Sequence, residues 1–333
     1  MLQQNHKKTG ILPSLAISLL LIVITSLFII FRQRVVDQIT VWQFHPTAEV
    51  SALVDKAGMN DNGKFYFLAS KPILDGTKQF NTECGRVESV TSILGCYSNN
   101  HIYVYNVTDK QLDGIREVTA AHETLHAIYD RMSDSEKRII DSLIEVEYKK
   151  LQGDKDFSDI MAFYARTEPG QRDNELHSII GTEVANINPE LEAHYNQFFK
   201  NRQSVVKLDV QYSSVFKGLK ARADELEKQY NALSFSISVR TAQYNADAII
   251  LNNDITSFNQ RASNGSFSSL SQFNSERYTL TSRAASLEAT RQSINDDITK
   301  YKAILNEYNS IASESKKLYD VIDSNLAPSP SVK

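Results

Sequence analysis

Residues Ala120-Ala121-His122-Glu123-Thr124-Leu125-His126-Ala127 decide how this 333-residue chain is read. They carry His-Glu-x-x-His inside a run in which Ile115, Val118, Ala121, Leu125 and Ile128 recur at spacings of three and four. That spacing puts an apolar stripe on one face of a helix. Residues four apart lie on the same face about one turn along, so His122 and His126 can aim two imidazoles at one point. The pair suits Zn²⁺, which takes neutral imidazole nitrogen at about 2.0–2.1 Å. Glu123 projects beside the pair, where a carboxylate can take a proton from metal-bound water. The bland alternative is a helix with two surface histidines. The flanking alanines and the β-rich stretch ahead of the motif favour a zinc site.

A catalytic zinc site has three protein ligands and one open position. Two histidines leave one ligand to find, and a later segment must supply it. Glu175 is the first choice, because it begins a helix after the loop Thr167-Glu168-Pro169-Gly170-Gln171-Arg172 and carboxylate oxygen is an accepted ligand. His177 and Glu183 compete with it. Glu175 and Glu183 are eight apart and share a helix face, while His177 points elsewhere.

Working outward, Ile11 to Phe31 is an uncharged apolar run. Its span at ~1.5 Å per residue is about 31 Å, which matches a bilayer core of about 30 Å. The reading is a transmembrane helix over 11–31 behind a short tail of 1–10. It places the chain in the cell membrane as a single-pass protein, with a cytoplasmic N-terminus and an extracytoplasmic C-terminal portion. Cys84 and Cys96 are the only two cysteines and are close enough to close a short loop, as a disulfide in an oxidising compartment would. The net charge of −4, with no large basic block, speaks against nucleic acid as a partner.

Residues 32 to 60 read as a polar helix ending at Gly58. Asn60-Asp61-Asn62-Gly63 reads as a turn and Lys64 to Ser70 as a strand. A second strand is expected at His101 to Val107. Asp113 opens the His-Glu helix. Ser133-Asp134-Ser135-Glu136 has the pattern of a capping box. A short helix follows at Phe157 to Arg166, then one capped by Asp173 or Asn174, then one behind Asn188-Pro189. From about Ser204, apolar residues repeat by sevens: Tyr230, Ile237, Tyr244, Leu251 and Phe258, then Leu280, Leu287, Ile294, Tyr301 and Tyr308. With a turn near Asn264-Gly265, this predicts an antiparallel coiled-coil hairpin, open to a protein partner or to self-association.

The motif His122-Glu123-x-x-His126 with Asn174-Glu175 downstream resembles the zincins, and among them the gluzincin type of zinc metallopeptidase. Tyr164-Ala165-Arg166-Thr167 ahead of Asn174-Glu175 is similar to lethal-factor-like peptidases. The resemblance covers roughly residues 60 to 200. It implies one Zn²⁺ and hydrolysis of peptide bonds by zinc-activated water, with Glu123 as general base. It also implies that Tyr164 assists the oxyanion and that the strand before the helix binds peptide by strand addition. On the residues alone Tyr164 reads as a core aromatic beside Phe163.

The expected architecture is therefore α+β. It comprises the membrane helix, a zincin-like metallopeptidase domain over 32–202 (a small sheet plus the His-Glu helix), a coiled-coil hairpin over 203–326 and a tail over 327–333. A different reading of the same pattern is an envelope scaffold or adhesion protein with a structural or weakly active zincin domain. A third is an amidase or other hydrolase using the same metal.

Overall fold

The structure is a computed structural model and describes residues 17–23, 25–26, 31–84 and 93–324. The chain divides into two compact units, residues 1–215 with 320–333, and residues 216–319.

In the first unit, helices α1 (Arg32–Gln43), α2 (Ala48–Lys56) and α3 (Asp61–Ala69) precede strand β1 (Ile73–Asp75) and helix α4 (Thr77–Glu83). Strands β2 (Gly95–Ser98) and β3 (His101–Tyr105) lead into α5 (Ile115–Arg131), the helix of the His-Glu motif. Then follow α6 (Asp134–Leu151), α7 (Lys155–Thr167), α8 (Arg172–Glu183) and α9 (Pro189–Tyr195). Helix α5 is the centre of the unit: Ala120, Ala121, Leu125 and Ala127 are fully buried. It starts at Ile115 behind Gly114 rather than at Asp113. Gly114 has φ +101°, in the region that favours glycine, and an added Cβ would crowd Leu208.

The sheet has the order β1-β3-β2, with β1 parallel and β2 antiparallel to β3. Strand β3 is thus the central strand, with both edges paired. It cannot take a peptide by strand addition, as the sequence reading expected. Among the described strands β2 has a free edge. A disulfide joins Cys84, at the end of α4, to Cys96 in β2, as the cysteine spacing predicted. Phe80, Cys84 and Tyr103 form a small cluster beneath it.

The expected strand at Lys64–Ser70 is instead helix α3. The Asn60 side chain accepts from the N–H groups of Asn62 and Gly63, so the residues read as a turn serve as a helix cap. Gly63 lies against the Phe198 carbonyl, which a Cβ would approach to 2.1 Å, and Phe67 is fully buried. Tertiary packing of this face outweighs the β-preference of Phe65-Tyr66-Phe67. The Ser133–Glu136 capping box and the Asn188 cap form as read. Helix α8 begins behind Gln171, not at Asp173 or Asn174.

Two further expectations are corrected. The chain is mostly helical with one three-stranded sheet, so α+β overstates its strand content. Among the described residues no helix is long and apolar enough to cross a membrane. A span needs about 20 consecutive apolar residues in one helix. Within 11–31 the described helical residues are only 17–23 and 25–26, and residues 11–16, 24 and 27–30 lie outside the described set. The single-pass membrane placement, with its cytoplasmic N-terminus and extracytoplasmic C-terminal portion, falls with this finding.

In the second unit, parts of the long helices α10 (Gln203–Ser263) and α11 (Leu270–Ile322) run antiparallel. Tyr230 stacks on Tyr301 with centroids 4.9 Å apart. Arg222 pairs with Glu307, Arg240 with Asp297, Asp254 with Arg283 and Arg261 with Glu276. Partners ascend one helix as they descend the other. Leu251, Phe258 and Ile294 of the sevenfold repeats are buried, and so is Leu226.

Candidate metal centre

Helix α5 presents His122 and His126 one turn apart, with ring centroids 4.7 Å from each other. Helix α8 crosses it closely. Gly181 permits the approach, since a Cβ there would meet Leu125 Cδ1 at 2.4 Å and Tyr195 Cε1 at 2.8 Å. The crossing brings Glu175, in the first turn of α8, to both histidines: Nε2 of His122 lies 3.7 Å from Oε2 and Nε2 of His126 lies 3.4 Å from Oε1. One donor atom from each of the three residues falls within 4.8 Å of the others, so His122, His126 and Glu175 can hold a metal ion. Tetrahedral ligands at about 2.0–2.1 Å stand roughly 3.3 Å apart, close to the two carboxylate distances found.

The donors are prepared for a cation. Glu175 is 3% exposed, and its Oε2 has no hydrogen-bond partner. Leaving a carboxylate oxygen buried and unpaired is costly, and a metal ion would relieve that cost. Burial holds both histidines down to about 4, so both are neutral at neutral pH, as ligation requires. Nδ1 of His126 lies 2.9 Å from Oδ1 of Asn174, while Nδ2 of Asn174 donates to Oε1 of Gln171. That chain makes Nδ1 of His126 the protonated nitrogen and turns the Nε2 lone pair toward Glu175.

The triad lies in a cleft of about 780 Å³, bordered by β2 on one side and by α7 and α8 on the other. Glu123 lines it and is 5% exposed. Burial, then the charges of Glu175 and Glu168, push its carboxyl well above the usual range. Gly95 of β2 sits directly over it. A Cβ at residue 95 would meet Thr119 Cγ2 at 2.5 Å and Glu123 Oε1 at 2.7 Å. Tyr164 also lines the cleft and reaches the Glu175 carboxylate. Burial and the surrounding carboxylates keep its hydroxyl protonated.

Of the alternative third ligands, Glu183 lines the same cleft, but His177 is fully buried away from it, with Nε2 2.9 Å from Nε2 of His194. The Tyr195 hydroxyl is committed to the His177 carbonyl at 2.7 Å.

Three residues of the site escaped the sequence reading. In the sequence Asn174 is legible only as a helix cap and a motif neighbour. Gly95 carries no signal until a strand is seen lying on Glu123. Glu168 belongs to a loop by its sequence, yet it reaches the Glu175 carboxylate, and burial followed by the Glu175 charge raises its carboxyl to about 7.

No protein-family model, no curated protein and no solved structure matches this chain.

Proposed function

We propose that this chain is a zinc-dependent peptide hydrolase centred on His122, His126 and Glu175. The observation that carries the reading is the convergence of these side chains, from two helices, in a cleft bordered by an open strand edge. Two imidazoles and one carboxylate are the donor set of a catalytic rather than a structural zinc site. Zinc bound there would supply Lewis acidity, polarising a carbonyl and making water nucleophilic at neutral pH.

The remaining roles fall to the chain's own residues. Glu123 accepts a proton from the attacking water and delivers it to the leaving amine. Its burial beneath β2 excludes bulk water and gives its carboxyl a strong hold on that proton. The Tyr164 hydroxyl, protonated at neutral pH, donates to the developing oxyanion. The free edge of β2 pairs with an extended peptide, and Gly95 lets that strand lie close to Glu123.

The test is hydrolysis of an unstructured protein substrate by the zinc-loaded full chain and by Glu123→Gln. Loss of a general base costs about 10²–10⁴-fold, so the variant is expected to be at least about 100-fold slower with its zinc content intact. Equal rates in the two proteins would refute the reading.

A further inference from the structure

Besides Glu123 and Glu175, the carboxylates of Glu83, Asp130, Glu168 and Glu183 border the cleft. Among its described lining residues there is no lysine or arginine. The carboxylates come from α4, α5, α8 and the turn after α7, so they are not the solvated face of one helix. Nearby cations have carboxylate partners outside the cleft: Arg131 binds Asp37, while one of its nitrogens also donates to the Tyr97 hydroxyl at 3.1 Å, and Arg172 binds Glu145 and Asp173. Buried Glu175, whose Oε2 has no hydrogen-bond partner, lines the same cleft. A cleft lined by one sign of charge focuses its field and concentrates ligands of the other sign. A dication at the triad would be held by Glu175 and would not touch Glu83 or Asp130 at the rim.

Glu83 and Asp130 are exposed and do not touch the triad. Each is held beside the sheet by a tyrosine. Tyr103 of β3 donates to Glu83 at 3.3 Å; the Tyr97 hydroxyl of β2 accepts from Arg131 at 3.1 Å and has Asn100 Oδ1 at 3.0 Å and Asp130 Oδ2 at 3.3 Å as acceptors for its single proton. Both residues line the cleft that β2 borders. We propose that the substrates are extended peptides carrying lysine or arginine beside the bond to be cut, with Glu83 and Asp130 as specificity-determining residues at the rim. The proposal rests on the peptidase reading of the site.

Equilibrium binding to the zinc-loaded full chain carrying Glu123→Gln tests it apart from catalysis. The probes are three peptides matched except for lysine, glutamine or glutamate at the positions flanking the central bond. The lysine peptide is expected to bind at least about tenfold tighter than the glutamate peptide. Raising salt from about 0.05 to about 0.5 M should shrink that preference several-fold. Adding Glu83→Gln or Asp130→Asn should each cut the lysine peptide's advantage over the glutamine peptide by about two- to fivefold, as expected for exposed charges. Equal affinity for all three peptides, a preference untouched by both rim substitutions, or no binding of any peptide overturns the proposal. Charge-selective binding by a chain whose Glu123-containing form hydrolyses nothing supports it and refutes only the hydrolytic reading.

Discussion

Two pairs of close histidines, buried but for the partly exposed His122, lie within the first unit, and their surroundings differ. His122 and His126 share helix α5, point both Nε2 atoms toward Glu175 and border an open cleft. His177 and His194 come from α8 and α9, face each other at 2.9 Å and are packed by the rings of Tyr129, Tyr195 and Phe198. In the second pair one neutral ring donates to the other, so no two lone pairs converge on a third point. Proximity and burial are common to both. Only the first pair has a carboxylate completing the ligand set and a path for a ligand to enter.

The strongest test of this contrast is metal affinity. Glu175→Gln should weaken zinc binding by more than about 100-fold, the upper end of what losing a mere supporting residue costs. His177→Gln should leave zinc stoichiometry unchanged. Comparable loss in both variants, read by metal content after dialysis, would break the distinction.

Next in size is the support behind the ligands. Asn174→Ala removes the acceptor that orients His126 and should cost about 10–100-fold in zinc affinity. Titration against a competing chelator measures it, and an unchanged affinity would show that the packing of α5 alone orients the ring.

A smaller effect is expected at Gly95. Gly95→Ala pushes on the Glu123 carboxylate without touching a ligand. It should lower kcat about tenfold at unchanged zinc content and nearly unchanged KM, as small misplacements of reacting groups do. Steady-state kinetics on one peptide separates this from a loss of binding, in which KM alone would rise.

The smallest effect distinguishes the pairs by acid. Burial holds His122, His126 and His194 near 4, and His177 well below its usual value. The unfolded chain, with histidines near 6.5, binds more protons than the folded one between about 6.5 and 4. Stability is therefore lost as pH falls through that window, by at most about 1.4 kcal/mol per pH unit for each group. In the metal-free cleft the carboxyls oppose this loss. Glu123, Glu175 and Glu168, the last raised to about 7, keep protons in the folded state and gain stability on acidification. Around His194 only the charge of Glu136 pulls the other way, and it does not reverse the shift. Metal-free His194→Gln should lose stability less steeply between about pH 6.5 and 4.5, by up to about 1 kcal/mol per pH unit in urea denaturation. An unaltered slope would show that the pair titrates normally.

Much of the site was legible in the chain itself. The four-residue spacing of His122 and His126 survives any packing, because helix geometry alone puts them on one face. Cys84 and Cys96, the Ser133 capping box and the sevenfold repeats of α10 and α11 are likewise local signals. The strand expected at Lys64–Ser70 failed because aromatic content reports a preference for a half-buried surface, and α3 supplies that surface as a helix. The membrane expectation rested on hydropathy over 11–31, and the described helices contain no span to match it.

By itself, then, the sequence determined the pair of histidines on one helix face, the carboxyl beside them, the disulfide and the helical hairpin, since each depends on spacing within a few turns or on a fixed repeat. Tertiary structure alone brought Glu175, rather than His177 or Glu183, to the two histidines. Those residues lie about fifty positions from the motif, and their separation in space is set by how closely α8 can cross α5. Gly181 allows that crossing where a larger side chain would prevent it. The same holds for the strand that faces the cleft, because which edge of a sheet stays open depends on pairing between segments and not on any one of them.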